Sequence, residues 1–397
     1  MTAVSSETIA VRLAKLQALL AQREVDVAVL QLPGDLYYFT GSVQPLYLLV
    51  PREGQPCVLA RKALTRIRAE VTALPLYAFD GAPELIAILE QTGMRGARRL
   101  GFALDLASYA SVQRFQRLCP GAEIVDLAWD LRLLRMVKSA EEIARLRQSG
   151  EVLARLPAWV HAIFTPGITE LQLSAGLEYQ LRLAGNDALI RCRREGTEMS
   201  GSGVCVSGVN TLAGTKFEGI CGGVGLSPAV PYGATRTPIA EGAPILLDFA
   251  FVQGGYHLDQ TRMACWGRPS DAIQHAYAAM LEVEEAIFAR LRPGTPWLDV
   301  YQHALAHATA LGYADTFMGA GSEQVSFVGH GVGLELDEPP FLAPRMPYPL
   351  ATGMTIAIEP KVALPGIGIV GIEDTVVVRD GEPEVLTICP REIMVVG

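Results

Sequence analysis

The sequence predicts two domains, an α/β domain followed by an α+β domain, and three observations support this. The chain has 397 residues, which is enough for two hydrophobic cores, since single cores stop growing at a few hundred residues. The first part alternates helix and strand patterns. The second part begins with helices and continues with a series of strands. We therefore expect domains at 1–134 and 135–397.

The first domain is predicted to open with an amphipathic helix that has Leu13, Leu16 and Leu20 on one side. A buried strand follows at Val27–Leu30. Two further strands, at 46–50 and 56–60, flank the turn Pro51-Arg52-Glu53-Gly54. This alternation is typical of an α/β domain.

The second domain is predicted to begin at a capping box, Ser139-Ala140-Glu141-Glu142, and a second capping box starts another helix at Thr169. A glycine-rich stretch at 196–233 should form short strands and loops over a cavity. Further helices are predicted at 270–291 and 297–310, and strands at 245–251, 256–264, 355–358 and 368–378.

Composition excludes several classes of protein. The chain has 42 acidic and 33 basic residues, and without clustered positive charge we expect no nucleic-acid partner. Its apolar runs are far shorter than the roughly 20 residues that span a bilayer, so we expect no membrane association. The N-terminus does not resemble a secretory leader, which favours a cytoplasmic location. Seven scattered cysteines without a CxxC pair are expected to be free, buried thiols.

Charged residues inside apolar strands indicate where chemistry takes place. Asp248 and Asp259 lie eleven residues apart on a predicted hairpin, and Glu359 and Glu373 interrupt two later strands. His330 lies in a glycine-flanked turn. Because an isolated buried carboxylate is costly, four of them call for cations, and together with one imidazole they would compensate two divalent ions. Ordinary salt-bridged residues without a metal are the alternative.

These residues lie in four recognisable sequence motifs: DFAFVQGGYHLDQTR from Asp248, GHGVGL from Gly329, IEP from Ile358 and IEDT from Ile372. The pattern resembles the pita-bread metallopeptidases, in particular the Xaa-Pro aminopeptidase and prolidase branch of a group that also contains creatinase. LYYFTGS and LLVPREGQPCVL resemble its N-terminal domain. The resemblance implies a creatinase-like α/β domain at 1–134 and, at 135–397, a pita-bread catalytic domain with a curved antiparallel sheet.

The resemblance also implies roles for the five residues. Asp248 would chelate one ion, Asp259 and Glu373 would bridge two, and His330 and Glu359 would complete the second. A metal-bridging hydroxide would cleave an amide or peptide bond, and Glu359 would transfer its proton. A ligand set dominated by oxygen favours Mn²⁺, with Co²⁺ or Zn²⁺ able to compete. A small peptide or small molecule as substrate and a homodimer are further implications.

The chain departs from the family where substrate would be held. Asp337 and Tyr232 stand where two histidines are expected, and Gly371 stands where prolidases tend to have arginine. A carboxylate at 337 favours a cation or an N–H donor, whereas the phenol of Tyr232 can still donate a hydrogen bond. His257 is a further catalytic candidate, because strand alternation places it on the face of Asp259.

Other donors can be sought before and within the glycine-rich stretch, although solvated surface positions are the ordinary alternative for each of them. They are Arg191, Arg193, Arg194 and Lys216.

Three functions are consistent with the sequence. The first is a dinuclear hydrolase of the Xaa-Pro peptidase type. The second is a non-peptidase metalloenzyme acting on a small cationic or zwitterionic metabolite, which the changes at Asp337 and Tyr232 favour. The third is a catalytically silent relative, against which the retained carboxylates argue, since without metal they would destabilise the fold.

Overall fold

The computed structural model describes residues 4–194, 199, 201–216 and 219–397. It divides into two compact units. Unit 1 contains the described residues up to Arg135, together with Arg193 and Arg194, and unit 2 contains the others from Met136 onward. The boundary expected after residue 134 lies one residue from this division. Several residues of the glycine-rich stretch, 196–198, 200, 217 and 218, lie outside the described ranges.

Unit 1 is built on a mixed sheet with the strand order β4-β3-β2-β1-β5-β6 among its described residues. Its strands are β1 Val27–Leu30, β2 Tyr47–Pro51, β3 Cys57–Ala60, β4 Leu76–Ala78, β5 Arg99–Phe102 and β6 Glu123–Asp126. Its helices are α1 Ser6–Gln22, α2 Pro33–Thr40, α3 Leu64–Glu70, α4 Ala82–Gln91, α5 Tyr109–Leu118 and α6 Ala128–Met136. The predicted α/β alternation and the amphipathic first helix are confirmed, because α1 buries Leu13, Leu16 and Leu20.

A buried ion cluster lies inside unit 1. The guanidinium of Arg135 is 2.8 Å from Asp35, and that of Arg193 is 3.3 Å from the same carboxylate and 2.6 Å from Asp105. Arg193 was a candidate donor to substrate. The structure supports neither that role nor the alternative of a solvated surface position, because the guanidinium is buried among these carboxylates, which match its forked geometry.

The helices of unit 2 start where the sequence predicts. Ser139 and Thr169 each accept a hydrogen bond from the main chain three residues on, and Glu142 and Gln172 complete the two capping boxes. The helices are α7 Ala140–Leu153, α8 Leu156–Ile163, α9 Glu170–Leu183, α10 Asp271–Phe288 and α11 Trp297–Ala310.

The large sheet of unit 2 has the order β11-β10-β12-β15-β9-β8-β7 in the described part of the chain, with β16 beside β15 and β17 beside β9. These strands are β7 Gly203–Ser207, β8 Pro244–Gln253, β9 Tyr256–Trp266, β10 Gly329–Gly331, β11 Glu338–Phe341, β12 Thr355–Ile358, β15 Glu373–Val377, β16 Glu384–Val385 and β17 Met394–Val396. All neighbours pair antiparallel except β17 and β9. A separate pair joins β13 Lys361–Leu364 to β14 Gly368–Gly371.

The strand predictions hold with one correction. β8 and β9 form the expected hairpin, and Gly254 and Gly255 both have positive φ in its two-residue turn, as a type I′ turn requires. The single strand expected at 368–378 is wrong, because the chain changes partners at Ile372. Residues before it pair with β13, and residues after it pair with β12 and β9.

Two expectations from composition can be compared with the structure. None of the seven cysteines, all of which lie in the described part of the chain, forms a disulfide, and six of them are buried. None of the described helices is both long enough and apolar enough to cross a bilayer.

Candidate metal centre

Three adjacent strands bring three of the predicted ligands together. Thr261 on β9 lies opposite Asp248 on β8 and opposite Glu373 on β15. Asp259 is two residues before Thr261, and alternation therefore places it on the same face of β9. The hairpin and the neighbouring strand thus gather the carboxylates into one row across the sheet.

The other two predicted ligands come from the next strands of the same sheet. His330 on β10 lies opposite Ala357 on β12, and Glu359 directly follows β12. The ring atom Nδ1 of His330 is 3.3 Å from the carbonyl oxygen of Gly331. In the tautomer that donates from Nδ1 to this carbonyl, Nε2 is the ring atom that a metal ion can bind.

Three carboxylates converge on the Nε2 atom of His330. The distances are 3.4 Å to Oε1 of Glu359, 3.9 Å to Oδ2 of Asp259 and 3.9 Å to Oε1 of Glu373. Ligand atoms of His330, Asp259 and Glu373 all lie within 4.8 Å of one another, and all three residues are buried. This spacing suits ligands arranged around one ion.

The hydrogen bonds of Glu373 support the same conclusion. Its Oε2 atom accepts from Lys361 at 2.8 Å and from Thr261 at 2.8 Å. Its Oε1 atom, which faces His330, is buried without a hydrogen-bond partner among the described residues. A buried carboxylate oxygen without a partner is unfavourable, and a divalent ion bound by oxygen and imidazole ligands would satisfy it. These residues therefore fit one ion.

Lys361 is the functional residue that the sequence analysis missed. It is fully buried, and its ammonium nitrogen is 2.7 Å from Glu359, 2.8 Å from Glu373 and 3.6 Å from Asp248. The sequence carries a signal for it, a lone lysine at the start of the apolar segment KVAL, two residues after Glu359. Two divalent ions do not fit this arrangement, because the ammonium group already lies among carboxylates that the second ion would need.

The pKa values follow from burial and from these charges. Burial raises the pKa of Asp248 to about 7, although the charge of Lys361 opposes the shift. Burial also acts to raise the pKa of Glu373, but Lys361 and then His330 outweigh it and lower that pKa. For Glu359 burial dominates, and the pKa is raised. The cluster therefore contains carboxylates with different tendencies to hold a proton.

Asp337 and Tyr232, the two substituted positions, lie near this centre. Removal from water lowers the pKa of His330, but the charges of Glu359 and Asp337 raise it to about 9. Burial, and then the charge of Asp248, raises the pKa of Tyr232 well above its usual value. Tyr232 thus keeps its proton as a donor beside Asp248, and Asp337 adds negative charge beside His330.

His257 has a different place from the one expected. Its Nε2 atom accepts from the main-chain N–H of Arg191 at 3.0 Å, and its Nδ1 atom lies 2.9 Å from the carbonyl of Gly333. Burial lowers its pKa to about 4, so the ring is neutral and Nδ1–H donates to that carbonyl. The predicted catalytic role is wrong in this geometry, because both ring nitrogens serve main-chain groups.

The remaining candidate donors differ in burial and in their contacts. Arg191 donates its guanidinium to the carbonyl of Leu334 at 3.2 Å, and Arg194 and Lys216 are exposed. Gly371 pairs with Lys361 across the two-stranded sheet.

Two family models match this chain, and one of them covers the strands that carry the centre. Residues 144–380 match the model of metallopeptidase family M24, and residues 12–137 match the creatinase/prolidase N-terminal domain. The first match covers more than half of the chain. The chain belongs to metallopeptidase family M24. The predicted fold class is thereby confirmed, with a creatinase-like N-terminal domain and a curved antiparallel sheet in the pita-bread domain.

Individual relatives extend over nearly the whole chain. It is 25% identical over 386 residues to an uncharacterized peptidase, YqhT, of Bacillus subtilis, covering 97% of this chain and 99% of the relative. It is 26% identical over 388 residues to a Xaa-Pro dipeptidase of Pyrococcus furiosus, with 96% and 99% covered. A solved structure of dipeptidase PepE from Mycobacterium ulcerans matches with a TM-score of 0.81 at 25% identity, covering 99% of both chains.

Membership of family M24 confirms the expectation of a metallopeptidase-like hydrolase. Lys361 is an additional feature of this chain's own site.

Proposed function

We propose that the protein is a metal-dependent hydrolase of the Xaa-Pro peptidase type that cleaves an amide bond. The convergence of Asp259, Glu359 and Glu373 on the Nε2 atom of His330 is the observation that carries the proposal. The relatives named as dipeptidases support peptides as substrates. Mn²⁺ is the ion that this mixture of oxygen ligands and one imidazole favours.

One divalent ion, held by His330, Asp259, Glu373 and Glu359, would supply the activation of water and the polarisation of the scissile carbonyl. Glu359 can accept the proton of the attacking water, because burial raises the pKa of its carboxylate. Tyr232 keeps its phenolic proton and can donate a hydrogen bond to the oxygen of the tetrahedral intermediate. The expected second ion is not part of the proposal, since Lys361 lies among its ligands.

Purified protein tests the peptidase proposal directly. With Mn²⁺, it should release the N-terminal amino acid from Xaa-Pro dipeptides or longer Xaa-Pro peptides, and EDTA should abolish the release. His330→Gln is the matched variant, because it removes the imidazole and keeps a polar side chain of similar size. An absence of turnover over a panel of peptides with Mn²⁺, Co²⁺ or Zn²⁺ would reject the peptidase proposal.

A second candidate function is hydrolysis of a small cationic or zwitterionic metabolite. The charge of Asp337 acts on His330, and Gly371 offers no side chain to clamp a substrate carboxylate. Both features favour a positively charged group close to the ion. Cyclic amidines, lactams, and amides that carry a quaternary ammonium group should then be hydrolysed faster than peptides, and Asp337→His should shift the preference toward Xaa-Pro peptides.

Homodimer formation and a cytoplasmic location stay predictions. A mass measurement in solution by light scattering would test the first.

A further inference from the structure

The carboxylates of the centre surround two positions where a cation can bind, one beside His330 and one at the ammonium group of Lys361. Glu359 and Glu373 each direct Oε1 toward the Nε2 atom of His330, at 3.4 and 3.9 Å. Each directs its Oε2 atom to the ammonium nitrogen of Lys361, at 2.7 and 2.8 Å. The two glutamates therefore bridge the imidazole side of the centre and the ammonium group.

Asp248 belongs to the ammonium side of this arrangement. Its Oδ2 atom is 3.6 Å from the nitrogen of Lys361, whereas Asp259 is the aspartate that faces His330 at 3.9 Å. Each position thus has three carboxylates around it, with two of them shared. Lys361 completes one position from within the chain.

We propose that the ammonium group of Lys361 is a built-in cation that fills one of the two cation positions, so that the protein binds one divalent ion at His330, Asp259, Glu359 and Glu373. This inference rests on the metal-binding part of the proposed function and is independent of its substrate.

The alternative is a buried lysine that only stabilises the fold. The ammonium group of the buried Lys138, by comparison, has one carboxylate, Glu338 at 2.7 Å, and one carbonyl, that of Met136 at 3.2 Å, in the same unit. Lys361 contacts three carboxylates, and each was predicted as a metal ligand. A second divalent ion would bind these oxygens at roughly 2.0–2.6 Å. It would then compete directly with the ammonium group for the Oε2 atoms of Glu359 and Glu373.

The lack of a side chain at Gly371 makes room for Lys361. A Cβ atom at position 371 would lie 2.6 Å from both Cα and Cγ of Lys361 and 2.5 Å from the carbonyl oxygen of Pro360. A larger residue would therefore displace the backbone and side chain of Lys361. Gly371 therefore leaves the room that Lys361 occupies.

The inference predicts a chemical difference from a two-ion centre. An ammonium group does not dissociate from the chain, so only one equivalent of metal should be needed to load the centre. The shared carboxylates are partly neutralised by Lys361 before the ion binds. Lys361 therefore acts as a positioning residue, because it holds the Oε2 atoms and leaves the Oε1 atoms for the ion.

Counting ions tests the inference. Wild-type protein, Lys361→Ala and Lys138→Ala are each purified with Mn²⁺, freed of loose metal by gel filtration and measured by elemental analysis. We expect about one ion per chain in the wild type and in Lys138→Ala, which serves as the matched buried-lysine control. Lys361→Ala should gain one further ion, and its electron paramagnetic resonance spectrum should change from that of an isolated Mn²⁺ to that of a coupled pair.

Thermal melting provides a second measurement. Removal of Lys361 leaves the carboxylates uncompensated, so the melting temperature of Lys361→Ala in EDTA should fall below that of the wild type and should recover on addition of Mn²⁺. Lys138→Ala should show no such recovery.

The outcomes separate this inference from the proposed function. Two ions in the wild type, or no gain in Lys361→Ala, would overturn the inference. A wild type that binds no ion would overturn both the inference and the metal dependence of the proposed function. One ion in the wild type without turnover of any peptide would leave the inference intact and reject only the peptidase part of the proposed function.

Discussion

Arg262 provides a quantitative test of how the strands that carry the ligands are held. Its guanidinium is fully buried and donates to Oδ1 of Asp374 at 2.6 Å and to the carbonyl of Glu373 at 2.9 Å. It also donates to the carbonyl of Cys389 at 2.9 Å. Arg262→Met keeps most of the volume, but it leaves a buried carboxylate and five main-chain carbonyls without this donor.

The expected loss of stability can be worked out from these contacts. Removing one partner of a buried ion pair costs about 3–5 kcal/mol. Arg391 remains 3.5 Å from the other oxygen of Asp374. Because this guanidinium still compensates part of the charge, we take the lower end of the range, about 3 kcal/mol, for the loss of the ion pair. The carbonyls that lose a donor add roughly 1 kcal/mol. We expect Arg262→Met to lower the free energy of unfolding by about 4 kcal/mol, less than the roughly 5–15 kcal/mol that keeps a typical protein folded.

Urea unfolding followed by tryptophan fluorescence, in EDTA, measures this loss. Arg379→Met is the matched control: its guanidinium is partly exposed and pairs with Glu384 in the same unit, so its loss should stay within about 1 kcal/mol. Adding Asp374→Asn to Arg262→Met should recover about 1–2 kcal/mol, because it removes the uncompensated charge. A loss below about 1 kcal/mol for Arg262→Met, or no recovery in the double variant, would refute the reasoning.

Three further predictions concern the centre and its surroundings. His330→Ala should weaken Mn²⁺ binding about 100-fold or more in calorimetry, since it removes the imidazole ligand; unchanged binding would exclude His330 as a ligand. Gly371→Ala should lower the free energy of unfolding by about 1–3 kcal/mol through overpacking against Lys361, whereas Gly381→Ala, where no atom lies within 4 Å of the added Cβ, should have little effect. His257→Phe should cost about 3 kcal/mol in urea unfolding because two main-chain groups lose their partner, and a change in Mn²⁺ stoichiometry in this variant would contradict its structural role.

The places of most candidate ligands in the fold could be predicted from the sequence because they follow local rules. Asp248 and Asp259 lie on a hairpin whose turn is marked by Gly254-Gly255, and both strands of the hairpin are long and apolar. The capping boxes at Ser139 and Thr169 likewise mark helix starts within four residues. Such short-range patterns determine where helices and strands begin and end. The resemblance to the family then indicates which strands lie next to one another.

The features that were missed depend on contacts between distant segments. Alternation places His257 on the face of Asp259, but only the fold shows that Arg191 and Gly333 use both of its ring nitrogens. The exchange of partners at Ile372 is equally non-local, since it depends on where β12 and β13 lie.

Lys361 shows a different limit of the sequence. A lysine at the start of an apolar strand commonly directs its ammonium group to solvent while its stem covers apolar surface. Here the strand begins inside the carboxylate cluster, and the side chain is fully buried. A search for cations as well as anions in the apolar strands would have found it, because KVAL contains a charge that needs a partner.

Anomalous diffraction from crystals of the protein grown with Mn²⁺ tests the central claim most directly. The predicted result is one strong peak within bonding distance of the Nε2 atom of His330 and of Asp259 and Glu373, with the ammonium group of Lys361 still on Glu359 and Glu373. Two peaks, with Lys361 displaced from the carboxylates, would contradict the claim that one divalent ion and one lysine together make up this centre.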